Sequence, residues 1–147
     1  MLAQAETSIS KLIGQIVLHS SIYETEAWGK TDQPNFLNQV LICDTHFGQE
    51  AVLDEILTIE ESMGRSRDKK WEARKIDIDI LFFNEEIFEH DNLKIPHPHL
   101  HERKFTLVPL AEVMPDYIHP VLKKTVRKLL SSVNDPLEVK KLSTVTA

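Results

Sequence analysis

The chain has 147 residues, 41% apolar and 27% charged, with 23 Asp and Glu against 17 Lys and Arg and a formal net charge of -6. That size and balance fit one globular domain over residues 1–147 with enough apolar side chains for a core, and the acidic excess argues against a general nucleic-acid binder. A lone cysteine, Cys43, excludes an internal disulfide, and no apolar run is long enough for a signal peptide or a membrane span, so a cytoplasmic location is the expectation.

Residues 3–13 read as a helix, with Leu2, Ile9, Leu12 and Ile13 as its apolar stripe and Gly14 as its stop. Residues 15–24 follow as a strand with Ile16, Leu18, Ser20 and Ile22 on one side. KTDQPN at 30–35 is turn chemistry, and 36–43 is a second apolar strand able to pair with the first as a wide hairpin. The strongest helical pattern spans 47–63, where Val52, Leu53, Ile56, Ile59 and Met63 share one face and Gly64 ends the run. Residues 75–83, KIDIDILFF, alternate charged and apolar before an apolar run, the pattern of a half-buried strand. A tight turn at 84–86 leads into 87–89, and helices near 102–113 and 122–133 close the pattern. The tail at 136–147 has no clear period and is expected to be loosely attached. The class is α+β, without internal repeats.

The segment RSRDKKWEARKIDIDI at 65–80 carries the chemistry. Side chains two apart on a strand share a face, so Asp77 and Asp79 project together while Ile76, Ile78 and Ile80 turn inward. Two adjacent carboxylates repel, and a hard divalent ion such as Mg²⁺, held by carboxylates and substrate phosphates, would offset that. Arg65, Arg67, Lys69, Lys70, Arg74 and Lys75 upstream supply cations matched to phosphate oxygens. A solvated sheet face with cross-strand ion pairs is the competing reading. His97, His99 and His101 alternate in HPHLH, but the prolines at 96 and 98 stiffen that segment and no cysteine lies near, which argues against a zinc site.

The W-x-x-R-x-x-D-x-D-I run formed by Trp71, Arg74, Asp77, Asp79 and Ile80 resembles the signature of the 6-hydroxymethyl-7,8-dihydropterin pyrophosphokinases. IPHPHLHERKFTLVPL at 95–110 is similar to a second motif of that family. A third, weaker stretch, 23–38, matches its pterin-side loop through Thr25, Trp28, Gly29, Gln33, Pro34, Phe36 and Asn38. Two departures stand out: Glu72-Ala73 where the family often has Gly-Pro or Gly-Ala, and Trp28 in place of an aliphatic residue. Family members begin with an apolar strand and a Gly-Ser-Asn loop, whereas this chain starts within the first helix. The expectation is a start placed too far downstream, with a truncated, inactive ligand-binding module as the alternative.

The resemblance implies a ferredoxin-like sandwich, a mainly antiparallel sheet with helices packed on it and its N-terminal strand absent from this chain. It also implies transfer of pyrophosphate from ATP to 6-hydroxymethyl-7,8-dihydropterin in folate biosynthesis. Asp77 and Asp79 would hold two Mg²⁺ ions, and Arg65, Arg67 and Arg74 would neutralise phosphate charge from a loop that closes over the substrates. Glu60, Trp71, Ile80, His97 and Arg103 would contact ATP, although a helix-surface pairing is an equally simple use of Glu60. Thr25, Trp28, Phe36, Asn38 and Phe105 would hold the pterin, with Phe36 and Phe105 on opposite faces of the ring. Asn92 and Lys94 match nothing in particular. No nucleic acid or membrane partner is expected, and the oligomeric state is not readable.

Overall fold

In the computed structural model, residues 1–26, 35–64 and 76–142 are described. Helix α1 spans Leu2–Leu12 and buries Ala5 and Ile9, with Ile13 just beyond it. These positions and Leu2 are three and four residues apart and so share one face; Leu12, a step of about 100° away, is 43% exposed rather than part of the stripe.

Strand β1 (Gly14–His19) runs antiparallel to β4 (Leu41–Thr45), with Gly14 opposite Thr45 and His19 opposite Leu41. Gly14 has two uses here. It follows the helix, and a Cβ on it would lie 1.9 Å from the Asp44 carbonyl oxygen, so only glycine permits this close approach of the strands. The register slips between Ile16 and Leu18, which leaves Leu18 49% exposed instead of on the inner side predicted for it.

The single strand expected at 15–24 is two. Ser20, 3% exposed, interrupts it: its amide donates to the Val40 carbonyl at 2.8 Å and its hydroxyl accepts from the Val40 amide at 2.9 Å. β2 (Tyr23–Thr25) then pairs with β3 (Phe36–Asn38), Tyr23 opposite Asn38 and Thr25 opposite Phe36, so the wide hairpin is present with a break in both arms. Residues 139–142 of the tail bond to a neighbouring strand. β7 (Val139–Lys141) adds to the other edge of β2, and the Leu142 amide donates to the Ile22 carbonyl.

Helix α2 (Gln49–Ser62) buries Val52, Ile56 and Ile59 against Ile9 and Ile13. Ile78, Ile80 and Phe83 pack on the same cluster. Residues 76–83 keep the predicted alternation, with Ile76 buried and Asp77 and Asp79 exposed, but belong to no strand. Among the described residues no strand is bonded to this stretch, and a cleft of about 540 Å³ is lined by both it and β4. Alternation reports which face is buried; a ladder needs a bonded neighbour as well.

β5 (Phe88–His90) and β6 (Leu93–Ile95) form a hairpin of which the sequence suggested only the first arm; Asp91 at its turn has φ 53. The Ile95–Pro96 peptide bond is cis. A 3₁₀ turn, Leu100–Glu102, precedes α3 (Lys104–Val113). α4 (Val126–Ser132) is shorter than predicted because Thr125 caps it, its hydroxyl accepting from the Lys128 amide. Residues 121–123 instead wrap around buried His119, whose Nδ1 accepts from the amides of Val121 and Leu122. Leu107, Leu110, Val126 and Leu129 unite α3 and α4 in a second core cluster with Val40 and Leu100. Helices and antiparallel strand pairs make this an α+β fold of the ferredoxin-like kind. No helix is long and apolar enough to cross a membrane among the described residues.

Candidate active site

Asp77 and Asp79 lie between two clefts. The larger is lined also by Asn38, Ile80, His97, Arg103 and Phe105, and the smaller, of about 440 Å³, by Glu60, Asn92, His97 and Arg103. Each residue arrives by a different route. The strand-like alternation turns both carboxylates outward, the 3₁₀ turn brings Arg103 to the start of α3, and the first turn of that helix presents Phe105. The Arg103 guanidinium carbon sits 5.8 Å from the centre of the Phe105 ring, close enough for a cation–π contact.

His97 is tied to the acid segment twice. Its amide donates to the Leu81 carbonyl at 3.0 Å, and its ring Nε2 lies 4.0 Å from Asp79 Oδ2. Burial pushes the imidazole below its ordinary pKa, opposed by Asp79 and assisted by Arg103 and His99. The neutral ring has one donor and one acceptor. Because Nδ1 accepts the His99 amide at 3.1 Å, the proton resides on Nε2, on the side of Asp79. His97 is thus a directed N–H donor beside the carboxylate pair.

The other histidines do not join it in a metal cluster. His99 Nδ1 meets Glu102 Oε1 at 3.1 Å and His101 Nε2 lies 3.7 Å from Glu102 Oε2. Among the described residues no group of three or more His, Cys, Asp or Glu is arranged to hold a metal. Two carboxylates whose remaining ligands come from phosphate and water are a different kind of site, and the exposed Asp77 and Asp79 suit hard cations of that type.

Several predicted residues fall elsewhere. Ile80 lines the larger cleft but packs on the cluster of Ile9, Ile13 and Ile56. Phe36 is 56% exposed on β3 and does not line the cleft that Phe105 lines, so the two rings are not brought together across it. Thr25 is 2% exposed, and its hydroxyl oxygen has no hydrogen-bond partner. Arg65, Arg67, Trp71, Arg74 and Trp28 lie outside the described residues.

Two positions were not singled out from sequence. Asn92, given little weight there, lines the smaller cleft with the acids. Glu112 on α3 accepts from the Ser21 amide (2.9 Å), the Ser21 hydroxyl (2.9 Å) and the Tyr23 hydroxyl (2.8 Å), bracing β2 against the helix that carries Phe105. Neither has a sequence signal, since the partners of Glu112 are about 90 positions away along the chain.

A family model for 7,8-dihydro-6-hydroxymethylpterin-pyrophosphokinase matches residues 1–115. Three relatives, each called 2-amino-4-hydroxy-6-hydroxymethyldihydropteridine pyrophosphokinase, are similar over long stretches. The Aquifex aeolicus protein is 41% identical over 109 residues, 74% of this chain and 68% of its own. That of Methylorubrum extorquens is 37% identical over 143 residues, 97% of this chain and 89% of its own. The Haemophilus influenzae protein is 38% identical over 105 residues, 71% of this chain and 66% of its own. With a match over most of its length and an acid pair set between two clefts, the chain belongs to the 7,8-dihydro-6-hydroxymethylpterin-pyrophosphokinase family.

Proposed function

We propose that this chain transfers a diphosphoryl group from ATP to 6-hydroxymethyl-7,8-dihydropterin, a step of folate biosynthesis. The hydroxymethyl oxygen bonds to the β-phosphorus, the bond from that phosphorus to the α-phosphate oxygen breaks, AMP leaves, and the hydroxyl proton passes to solvent. The observation that carries this reading is the convergence of Asp77, Asp79, His97 and Arg103 on both clefts.

Asp77 and Asp79 are the residues to hold Mg²⁺, two ions in this proposal. When bound, the ions neutralise triphosphate charge and lower the pKa of the attacking hydroxyl, so that no strong protein base is needed. His97 donates its Nε2 proton to a phosphate oxygen, the tautomer fixed by the His99 amide. Arg103 binds phosphate with a guanidinium oriented over Phe105. Arg65, Arg67 and Arg74 add positive charge, with Trp71 beside the nucleotide. Asn38, presenting both donor and acceptor, and Phe105 hold the pterin in the larger cleft; Thr25, Phe36 and Trp28 are further pterin contacts on the strength of the family resemblance alone.

The test is AMP formation from ATP with Mg²⁺, with and without the pterin. Pterin-dependent AMP and a pterin diphosphate product support the reading; folded protein that forms neither refutes it.

A further inference from the structure

Glu60 lines the smaller cleft, and its geometry also gives it a structural task. It sits in the last turn of α2 and is 7% exposed. Its Oε2 accepts a hydrogen bond from the Ile78 amide at 2.7 Å. Ile78 is the residue between Asp77 and Asp79, so this bond holds the backbone from which both carboxylates project.

Among the described residues, the backbone–backbone hydrogen bonds of 76–83 are those accepted by Leu81 from His97 and by Phe83 from Glu86, both beyond the acid pair. The Glu60 carboxylate anchors the backbone between the two acids. A carboxylate is suited to that: a charge-assisted bond to a backbone amide is short and about twice as strong as a neutral one. It is ill suited to touching a triphosphate, since like charges repel. We infer that Glu60 is a positioning residue, which holds the Ile78 amide and so sets the spacing and direction of Asp77 and Asp79 for divalent-cation and phosphate binding. This rests on the function proposed above.

The experiment compares wild type, Glu60→Gln and Glu60→Ala. Hydrogen exchange at the Ile78 amide, followed by NMR on protein without nucleotide, reads the bond directly and needs no activity. Exchange at that amide is expected to accelerate at least tenfold in Glu60→Ala and to stay near wild type in Glu60→Gln, whose amide oxygen still accepts. In turnover assays Glu60→Ala is expected to lose about 100-fold in kcat, the scale of a small misplacement of reacting groups. Its half-saturating Mg²⁺ concentration should rise, its KM for ATP should change little, and Glu60→Gln should recover most of the loss. Unchanged exchange at Ile78 in Glu60→Ala overturns the inference. So does a rise in KM for ATP with kcat intact, which is the signature of a nucleotide contact, or a Glu60→Gln variant as impaired as Glu60→Ala. A wild-type protein that shows the exchange pattern but forms no AMP removes the proposed function and leaves the Glu60–Ile78 clamp standing.

Discussion

Glu112 joins two parts of the site, and its removal has a magnitude that can be worked out. In Glu112→Ala three hydrogen bonds disappear: the Ser21 amide, the Ser21 hydroxyl and the Tyr23 hydroxyl. Bonds to a charged acceptor contribute about 1.5–3 kcal/mol each when well buried, but this carboxylate is largely solvated, so about 1 kcal/mol each is appropriate. The Ser21 groups regain water in the variant. The hydroxyl of Tyr23, a residue 7% exposed, does so poorly, and a net loss of about 1–2 kcal/mol follows. With a urea dependence of about 1–3 kcal/mol/M, the unfolding midpoint falls by about 0.5–1 M.

The same bonds set a pH dependence. Burial acts to raise the Glu112 carboxyl, but the hydrogen bonds from the Ser21 amide, the Tyr23 hydroxyl and the Ser21 hydroxyl, with Lys141 nearby, outweigh it and leave the pKa below 4.5. A depressed folded-state value means that the stability is present above pH 4.5 and is lost as pH falls through the folded value. The Tyr23 hydroxyl, pushed up to about 12 by burial and by Glu112, stays protonated as the donor throughout. Urea melts of wild type and Glu112→Ala from neutral to acid pH should show a difference that shrinks on acidification. A variant whose midpoint stays within about 0.3 M of wild type at neutral pH would refute the brace. Because β2 and β3 carry Thr25 and Asn38 while α3 carries Phe105, the variant should also show a raised KM for the pterin.

Asp79→Asn should reduce kcat at least 100-fold while pterin binding, followed by fluorescence, stays within about threefold; retained turnover would remove the metal role of the acid pair. His119 is buried and held below 6.5 by burial and by His101, with Nδ1 accepting two amides. As pH falls below 6.5 the unfolded chain takes up a proton that the folded chain resists, so stability declines, and His119→Gln should flatten that decline in urea midpoints measured from pH 7 to 5. Gly14→Ala would set a methyl 1.9 Å from the Asp44 carbonyl oxygen, and the forced separation of β1 from β4 should cost about 1–3 kcal/mol by thermal or urea melts; a neutral result would mean the strands are less closely packed.

Sequence alone determined the parts that depend on local periodicity. The faces of α1 and α2, the break at Gly14, the hairpin of 15–43, and the outward set of Asp77 and Asp79 all follow from spacings of two, three and four residues. The motif residues Asp77, Asp79, His97, Arg103, Phe105 and Asn38, picked out by resemblance, line a common cleft. Tertiary structure decided what depends on distant partners. Ser20 splits a strand because Val40 approaches it, and residues 139–141 form a strand because β2 offers them an edge. Among the described residues, 76–83 keep the alternation of a strand but are assigned to no sheet, because a ladder requires a second strand as well as a pattern. Glu60 shows the same division. Its helical position could be read from the pattern, but the Ile78 amide it holds is 18 residues further along the chain, and only folding sets the two 2.7 Å apart.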